Sequence, residues 1–237
     1  MMTYQFEPIA VIRSPYREKF AVPRQANLVK AAQGELHLLA PYNDPLSVKG
    51  LEQFSHLWLL FHFHHIDPSK KRLTVRPPRL GGNKSLGVFA TRSPFRPNNI
   101  GLSVVELLDI VIKKNQVILT VSGLDLVDGT PIIDIKPYLP YCDSLPDAKA
   151  GYAQMIPEQK LKVSFSTEAS LFLQSQQQDY PQLTELIEQV ISQDPRPAYK
   201  QKNSHEQTYA ISLYDFNIKW KVAGCLASIE EIQIVSR

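Results

Sequence analysis

The chain has 237 residues with a formal net charge of +3, and 43% of them are hydrophobic and 21% charged, which excludes a disordered chain and suffices for one large domain or two small ones. No apolar run approaches the roughly 18 residues that a membrane helix needs, and the N-terminus lacks the apolar core of a signal peptide. The two cysteines, Cys142 and Cys225, lie far apart, which argues against a disulfide scaffold or a zinc ribbon and indicates a reducing cytoplasm.

The first 150 residues are predicted to be mainly β-structure. Short runs rich in apolar and β-branched residues predict strands in FEPIAVIR, GELHLLA, LWLLFHFHHI and LTVR, and residues 101–127 predict a long hairpin that turns near residues 113–115. One short helix is expected, in KGLEQFSHL. Because turns rich in Pro and Gly connect these runs, we expect an antiparallel β-barrel-like domain or a sandwich and not a Rossmann domain.

A small α+β domain is predicted to follow at residues 158–237, after a turn-rich linker at 147–160. LKVSFS predicts a strand, and Ser166 or the next residue, Thr167, is expected to cap a helix beginning at EASLFLQ. In DYPQLTELIEQVISQD the apolar residues form a one-sided stripe, which predicts a second helix with Asp179 as its cap. The remaining sequence predicts two or three further strands.

Positive charge is concentrated in one part of the chain. Residues 68–105 contain no Asp or Glu but eight cations: Lys70, Lys71, Arg72, Arg76, Arg79, Lys84, Arg92 and Arg96. A solvated face usually mixes charges of both signs, so this acid-free segment indicates an anionic partner such as RNA. Its last part, VFATRSPFRPNNIGLS, places two of the arginines on a loop that prolines stiffen.

Three histidines occur together in FHFHHID. If the strand continues through them, His62 and His64 share one face and His65 points to the other, which would supply half of a metal site. No second group of His, Cys or acidic residues has ligand-like spacing, so we expect no metal. A polar lining of the barrel mouth, or histidines satisfied within the core, are the alternative interpretations.

The segment GLDLVDGTPIIDIKPYLPYCD contains several carboxylates in an otherwise apolar run. Asp128 and Gly129 are typical of a tight turn, and on the following strand Asp134 and Lys136 would share a face. A turn alone and a functional site both fit this pattern, and we favour the site. The chain contains no GxGxxG, P-loop, HExxH or GxSxG motif, so a nucleotide-type cofactor would not be bound in the Rossmann manner.

Three of these segments together resemble one family. VPRQ at 22–25, GVFATRSPFRPNNIGLS at 87–103 and DLVDGTPIIDIKPYLPYCD at 125–143 are similar to the motifs of the TrmO or TsaA-like family of S-adenosylmethionine-dependent tRNA methyltransferases. The resemblance covers most of residues 5–150, and the sequence from about 158 is similar to the C-terminal domain of longer members. It implies a β-barrel-like domain, a homodimer, and methylation of N6 of threonylcarbamoyladenosine at tRNA position 37, beside the anticodon.

The resemblance also implies which residues contact S-adenosylmethionine. The family's cofactor contacts correspond here to Pro23, Arg24, Gln25, His64, His65, Arg92, Leu102, Asp128, Gly129, Thr130 and Pro131. Apart from the resemblance, residue chemistry suggests Asp134 as the base that accepts the proton of the methylated nitrogen, with His65 as the second candidate.

RNA is expected to contact the acid-free segment mainly through phosphates, at Lys71, Arg72, Arg79, Lys84 and Arg96. Arg96 is also a candidate to brace its loop, and Phe95 a candidate to stack on an unpaired base. Two other functions remain open at this point: a non-catalytic RNA-binding barrel, and a metal-dependent hydrolase that uses the histidines and aspartates.

Overall fold

The computed structural model describes residues 4–67, 69–114, 116–158, 161–196 and 207–235. They form two compact units, each built from several stretches of chain. The barrel unit consists of the described residues of Met1–Arg13, Glu35–Val121 and Gly129–Met155. The C-terminal unit consists of those of Ser14–Gly34, Ser122–Asp128 and Ile156–Arg237.

The barrel unit contains eight strands: β1 (Ala10–Arg13), β2 (Gly34–Leu38), β3 (His56–His62), β4 (Thr74–Val75), β5 (Leu86–Gly87), β6 (Ile100–Lys113), β7 (Gln116–Ser122) and β8 (Pro131–Pro137). Six of them close into a barrel in the order β1-β2-β7-β6-β3-β8, while β4 and β5 pair separately as a two-stranded sheet. The predicted antiparallel β-barrel is therefore confirmed.

Alternation of side chains along the strands fills the barrel. On β3 the buried residues are Leu57, Leu59 and Phe61, and the residues between them, including Trp58 and Leu60, are half-buried on the outer face. Because successive side chains of a strand point to opposite faces, the strand builds the core with one set and an outer surface with the other.

The prediction of a helix in KGLEQFSHL is wrong. Only a 3-10 turn at Leu51–Gln53 forms there, between Gly50 in the left-handed region and Phe54 in extended backbone. Since β3 begins two residues after Phe54, the segment has no room for an α-helix. The unit's other short helical elements are α1 (Pro140–Asp143) and 3-10 turns at Pro45–Val48, Pro78–Leu80, Val88–Ala90 and Gly151–Ala153.

The C-terminal unit is an α+β structure, as predicted. Its elements are β9 (Lys162–Phe165), α2 (Thr167–Gln176), α3 (Leu183–Ser192), β10 (Thr208–Leu213), β11 (Phe216–Ala223) and β12 (Leu226–Ile234). The four strands form one sheet in the order β10-β11-β12-β9, in which β9 runs parallel to β12. Neither helix here, nor any other helix in the described parts of the chain, has the length and apolar content needed to cross a membrane.

The two helices begin in different ways. The Ser166 hydroxyl accepts a hydrogen bond from Ala169 N (3.0 Å), which confirms Ser166 as the cap of α2. The predicted cap of the second helix, Asp179, is wrong, because α3 begins at Leu183 and Gln182 precedes it without a side-chain cap. The apolar stripe of α3 is buried as predicted, and it therefore contributes to the core of this unit.

Candidate functional site

The histidine segment of the barrel unit lies where β3 ends. His62 is the last residue of β3 and pairs opposite Ile100 at the start of β6. The expectation that His62 and His64 share a strand face is therefore wrong, because the strand stops before His64. His64 and His65 lie in the following turn with their ring centroids 4.0 Å apart. Among the described residues, no three His, Cys or acidic side chains form a group that could hold a metal ion.

A glycine is required where the proline-stiffened loop at residues 88–99, which carries Arg92 and Arg96 and is called the arginine loop below, enters β6. Gly101 lies opposite Phe61, and a Cβ atom on Gly101 would come within 2.2 Å of the Phe61 ring. That ring is buried in the barrel, so it has little room to move. Gly101 thus allows Phe61 to close this part of the barrel, and the next residue, Leu102, lies on the outer face with 51% of its surface exposed.

Leu102 and Asp134 flank a common neighbour on this outer face. Leu60 of β3 pairs opposite Leu102 of β6 on one side and opposite Asp134 of β8 on the other. Neighbouring strands lie roughly 4.8 Å apart, so β6 and β8, which flank β3, are separated by roughly 10 Å at this position. The Asp134 carboxylate accepts a hydrogen bond from Ile135 N (2.9 Å) and lies 3.7 Å from Lys136 Nζ. The apolar side chain of Leu60 therefore separates the exposed Leu102 from the half-exposed carboxylate of Asp134.

An aromatic pair extends the same face. Trp58 donates its indole N–H to Asp143 Oδ2 (2.9 Å), and its ring lies 5.8 Å from that of Tyr138. Asp143 also accepts a hydrogen bond from Leu139 N (2.8 Å). The Leu139 amide and then the Trp58 indole hold the pKa of Asp143 below its usual value, because both stabilise the carboxylate. Sequence reasoning missed Trp58, whose partner is 85 residues away along the chain.

The arginine loop braces itself. Arg96 Nη1 donates hydrogen bonds to the carbonyl oxygens of Thr91 (2.8 Å) and Val88 (3.4 Å). Asn99, which is buried with a φ of +51°, donates from its side chain to Pro94 O (2.9 Å). The sequence left two roles open for Arg96, a contact to RNA and a brace of its own loop. The structure shows contacts of the second kind. Arg92 is exposed on the same loop.

The turn at DGTP is divided between the two units. In the barrel unit, Gly129 has a φ of +77° and donates its N–H to Ile12 O (2.9 Å). Thr130 is buried, and its carbonyl accepts a hydrogen bond from Ile12 N (3.1 Å). Pro131 then begins β8 opposite Val11. The turn is thus attached to β1, so its backbone has a fixed position in the barrel.

In the C-terminal unit, Asp128 is held by an ion pair. Its carboxylate accepts hydrogen bonds from Ser14 N (2.9 Å) and from Arg17 Nη1 (2.7 Å). Arg17 also donates to Asp215 Oδ1 (2.8 Å) and to Tyr214 O (2.9 Å). Sequence reasoning missed this role of Arg17, since its partners lie more than 100 residues away along the chain.

The PRQ segment also belongs to the C-terminal unit. Pro23 is buried, Arg24 is exposed, and the Gln25 side-chain amide donates to Arg24 O. Nearby, Asn27 donates its N–H to Gly123 O (2.9 Å), and a Cβ atom on Gly123 would lie only 2.3 Å from Asn27 Oδ1. The close approach to Gly123 therefore anchors the segment that presents Arg24.

The cations expected to contact RNA surround β4 and β5. Lys71, Arg72, Arg79 and Lys84 are all exposed in the barrel unit. The Arg72 guanidinium lies 5.0 Å from the ring centre of Phe95, and Arg79 donates to Met155 O. The structure thus brings most of this segment's positive charge to one two-stranded sheet and its flanking turns.

Comparison with protein families matches almost the whole chain. Residues 11–144 match the model of the tRNA-methyltransferase O N-terminal domain, and residues 158–235 match that of the TrmO C-terminal domain. The chain is 59% identical over 222 residues to the tRNA (adenine(37)-N6)-methyltransferase of Escherichia coli K12, covering 94% of both proteins.

Two further comparisons also cover almost the whole chain. The chain is 49% identical over 220 residues to a Pseudomonas aeruginosa PAO1 protein named putative S-adenosylmethionine-dependent methyltransferase RcsF, covering 92% of this chain and 93% of that protein. It also matches the crystal structure of TrmO from P. aeruginosa with a TM-score of 0.81 and 39% identity, covering 99% of this chain and 98% of that one. These similarities span both units.

Proposed function

The chain belongs to the tRNA-methyltransferase O family, and from this we propose that it transfers a methyl group from S-adenosylmethionine to N6 of adenosine 37 in tRNA. In line with the family resemblance, the substrate is the threonylcarbamoyl form of that adenosine. One structural observation supports the assignment of residues: exposed Leu102 and half-exposed Asp134 flank Leu60 on the outer face.

The residues of each unit fit the chemical demands of this cofactor. In the barrel unit, Leu102 offers exposed apolar surface and Arg92 an exposed cation suited to a carboxylate. In the C-terminal unit, Arg24 offers a second exposed cation. We propose that Leu102, Arg92 and Arg24, with His64, His65, Pro23, Gln25 and residues 128–131, hold S-adenosylmethionine.

The bound cofactor supplies an activated methyl group on its sulfonium sulfur. The chain's own residues therefore act mainly by positioning the reactants and by handling one proton. We assign proton acceptance to Asp134, with His65 as the second candidate. The Asp134 carboxylate accepts a hydrogen bond from Ile135 N, which restricts its rotation, and it remains half-exposed and therefore accessible to a substrate.

Mass spectrometry of tRNA nucleosides tests the function directly. Purified protein is incubated with S-adenosylmethionine and tRNA that either carries or lacks the threonylcarbamoyl group. We expect one added methyl group on threonylcarbamoyladenosine and none when that group is missing. Methylation of both substrates would contradict the assignment of the modified base, and methylation of neither would contradict the function.

We expect Arg92→Ala to raise the Kd for S-adenosylmethionine by about 10- to 150-fold, because a charged hydrogen bond is worth about 1.5–3 kcal/mol. Isothermal titration calorimetry without RNA measures this affinity. Lys84→Ala is the matched control, since it removes another exposed cation of the same acid-free segment. Equal affinities of the wild type and Arg92→Ala would remove Arg92 from the cofactor site.

The family resemblance also supports a cytoplasmic homodimer that binds the anticodon stem-loop of its tRNA. We expect light scattering of the purified protein to give a mass twice that of the 26.9 kDa chain, as a dimer requires.

A further inference from the structure

Two large apolar side chains are exposed within the most basic part of the barrel unit. Leu73 has 90% of its surface exposed and Phe89 has 76%. Val88 N donates a hydrogen bond to Leu73 O (2.9 Å), which places the backbone preceding Phe89 beside Leu73. An exposed Phe contributes nothing to the barrel core, so packing does not account for an aromatic residue at this position.

The Phe89 ring is supported by a cation whose own position is fixed. The Arg96 guanidinium lies 5.9 Å from the ring centre. Arg96 is held in turn by the carbonyl oxygens of Thr91 and Val88, which follow and precede Phe89 closely in the chain. The contact therefore limits the motion of the ring while leaving three quarters of the residue exposed.

The charge around the ring indicates what would cover it. The acid-free segment at residues 68–105 contains no Asp or Glu, and Lys70, Lys71, Arg72, Arg76 and Lys84 are exposed in it. An aromatic ring among such cations suits a polyanion that has flat unpaired bases, because the phosphates contact the cations and a base stacks on the ring. A protein or peptide partner would need a strongly acidic surface to match the same charge.

We propose that Phe89, with Leu73 beside it, is a stacking platform for an unpaired base of the tRNA anticodon loop. This inference rests on the proposed function and adds a residue to its RNA contacts. The exposed Lys71 and Lys84 of the same acid-free segment neutralise phosphates, whereas Arg96 acts as a positioning residue for the ring. Phe95 is half-buried with Arg72 against its ring, so the stacking role belongs to Phe89.

Binding of a fluorescein-labelled anticodon stem-loop RNA, followed by fluorescence anisotropy, tests the proposal. Phe89→Ala is expected to raise the Kd by about tenfold, because it removes the aromatic face on which one base stacks. Phe89→Trp restores most of the affinity, since it retains a flat ring. Lys84→Ala, in contrast, reduces the log–log slope of affinity against salt by about 0.7–0.9, which Phe89→Ala leaves unchanged.

Phe20→Ala is the matched control. Phe20 is 55% exposed and has Lys19 Nζ 5.3 Å from its ring centre, but it lies outside the acid-free segment. We expect it to bind the RNA as the wild type does. The proposal is overturned if Phe89→Ala binds like the wild type, if Phe89→Trp is as weak as Phe89→Ala, or if Phe89→Ala changes the oligomeric mass, which would make the patch a contact between copies.

The readouts separate this inference from the proposed function. RNA affinity is measured without S-adenosylmethionine, so it reports on stacking even if the wild type transfers no methyl group. If the function is correct, saturating stem-loop RNA restores the methylation rate of Phe89→Ala, because the variant weakens binding and not chemistry. A rate that stays more than tenfold low at saturation would overturn the stacking role while leaving the function intact.

Discussion

Asp134→Asn is expected to lower kcat for methyl transfer by about 100- to 10,000-fold, the usual contribution of a positioned general base. The nitrogen that receives the methyl group must lose a proton, and its lone pair is delocalised into the purine and the carbamoyl group. An amide at position 134 preserves the size of the side chain but does not accept that proton. Single-turnover kinetics with saturating RNA and S-adenosylmethionine measures the effect.

The affinity for S-adenosylmethionine should remain within about twofold of the wild type, because the substitution keeps the shape of the outer face. Asp109→Asn is a matched control: Asp109 is an exposed carboxylate of β6 that also accepts a hydrogen bond from the next residue's amide, Ile110 N (2.8 Å). Its turnover should equal that of the wild type. If Asp134→Asn retains full turnover, Asp134 is not the base, and His65→Ala becomes the variant to measure.

The second large effect concerns stability. Asp194→Ala is expected to lower the free energy of unfolding of the C-terminal unit by about 3–5 kcal/mol, as happens when one partner of a buried ion pair is removed. Asp194 binds Arg196 through two hydrogen bonds (2.7 and 3.0 Å), and both side chains are less than one tenth exposed. Hydrogen bonding to Asp194 raises the pKa of Arg196 above its usual value. Because a guanidinium is not deprotonated in proteins, the variant leaves a buried positive charge without its carboxylate.

Urea unfolding followed by tryptophan fluorescence measures this loss. The chain has two tryptophans, and a Trp58→Phe background leaves the buried Trp220 of β11 as the reporter for the C-terminal unit. Asp179→Ala is the control, since Asp179 is exposed and precedes α3 without capping it. We expect the control to change stability by less than about 0.5 kcal/mol. Equal stabilities of the two variants would show that the buried pair contributes nothing.

Sequence patterns predicted elements that bury an apolar face. The apolar run LWLLFHFHHI predicted the strand that forms as β3, and the one-sided stripe predicted the helix that forms as α3, and both elements are confirmed. Prediction failed where a local competitor determined the backbone. Gly50 and the start of β3 prevented a helix at residues 51–53, and α3 began after Pro181 rather than at Asp179.

Part of the candidate site was visible in the sequence, because short motifs carry their own geometry. The positive φ of Gly129, the stiffened arginine loop and the acid-free segment could all be inferred from residue types. The bracing contacts of Arg96 correspond to one of the two roles considered for that residue. Arg92 is exposed on the same loop, and its cofactor role stays a prediction.

The sequence by itself determined the fold class, the family resemblance and the residues of each motif, because these depend on local pattern and composition. Only the tertiary structure decided which distant residues meet. It paired Trp58 with Asp143, placed Leu60 between Leu102 and Asp134, and joined Arg17 to Asp128 and Asp215. The physical reason is that barrel closure and strand register set these neighbours, and register depends on packing between segments far apart in the chain.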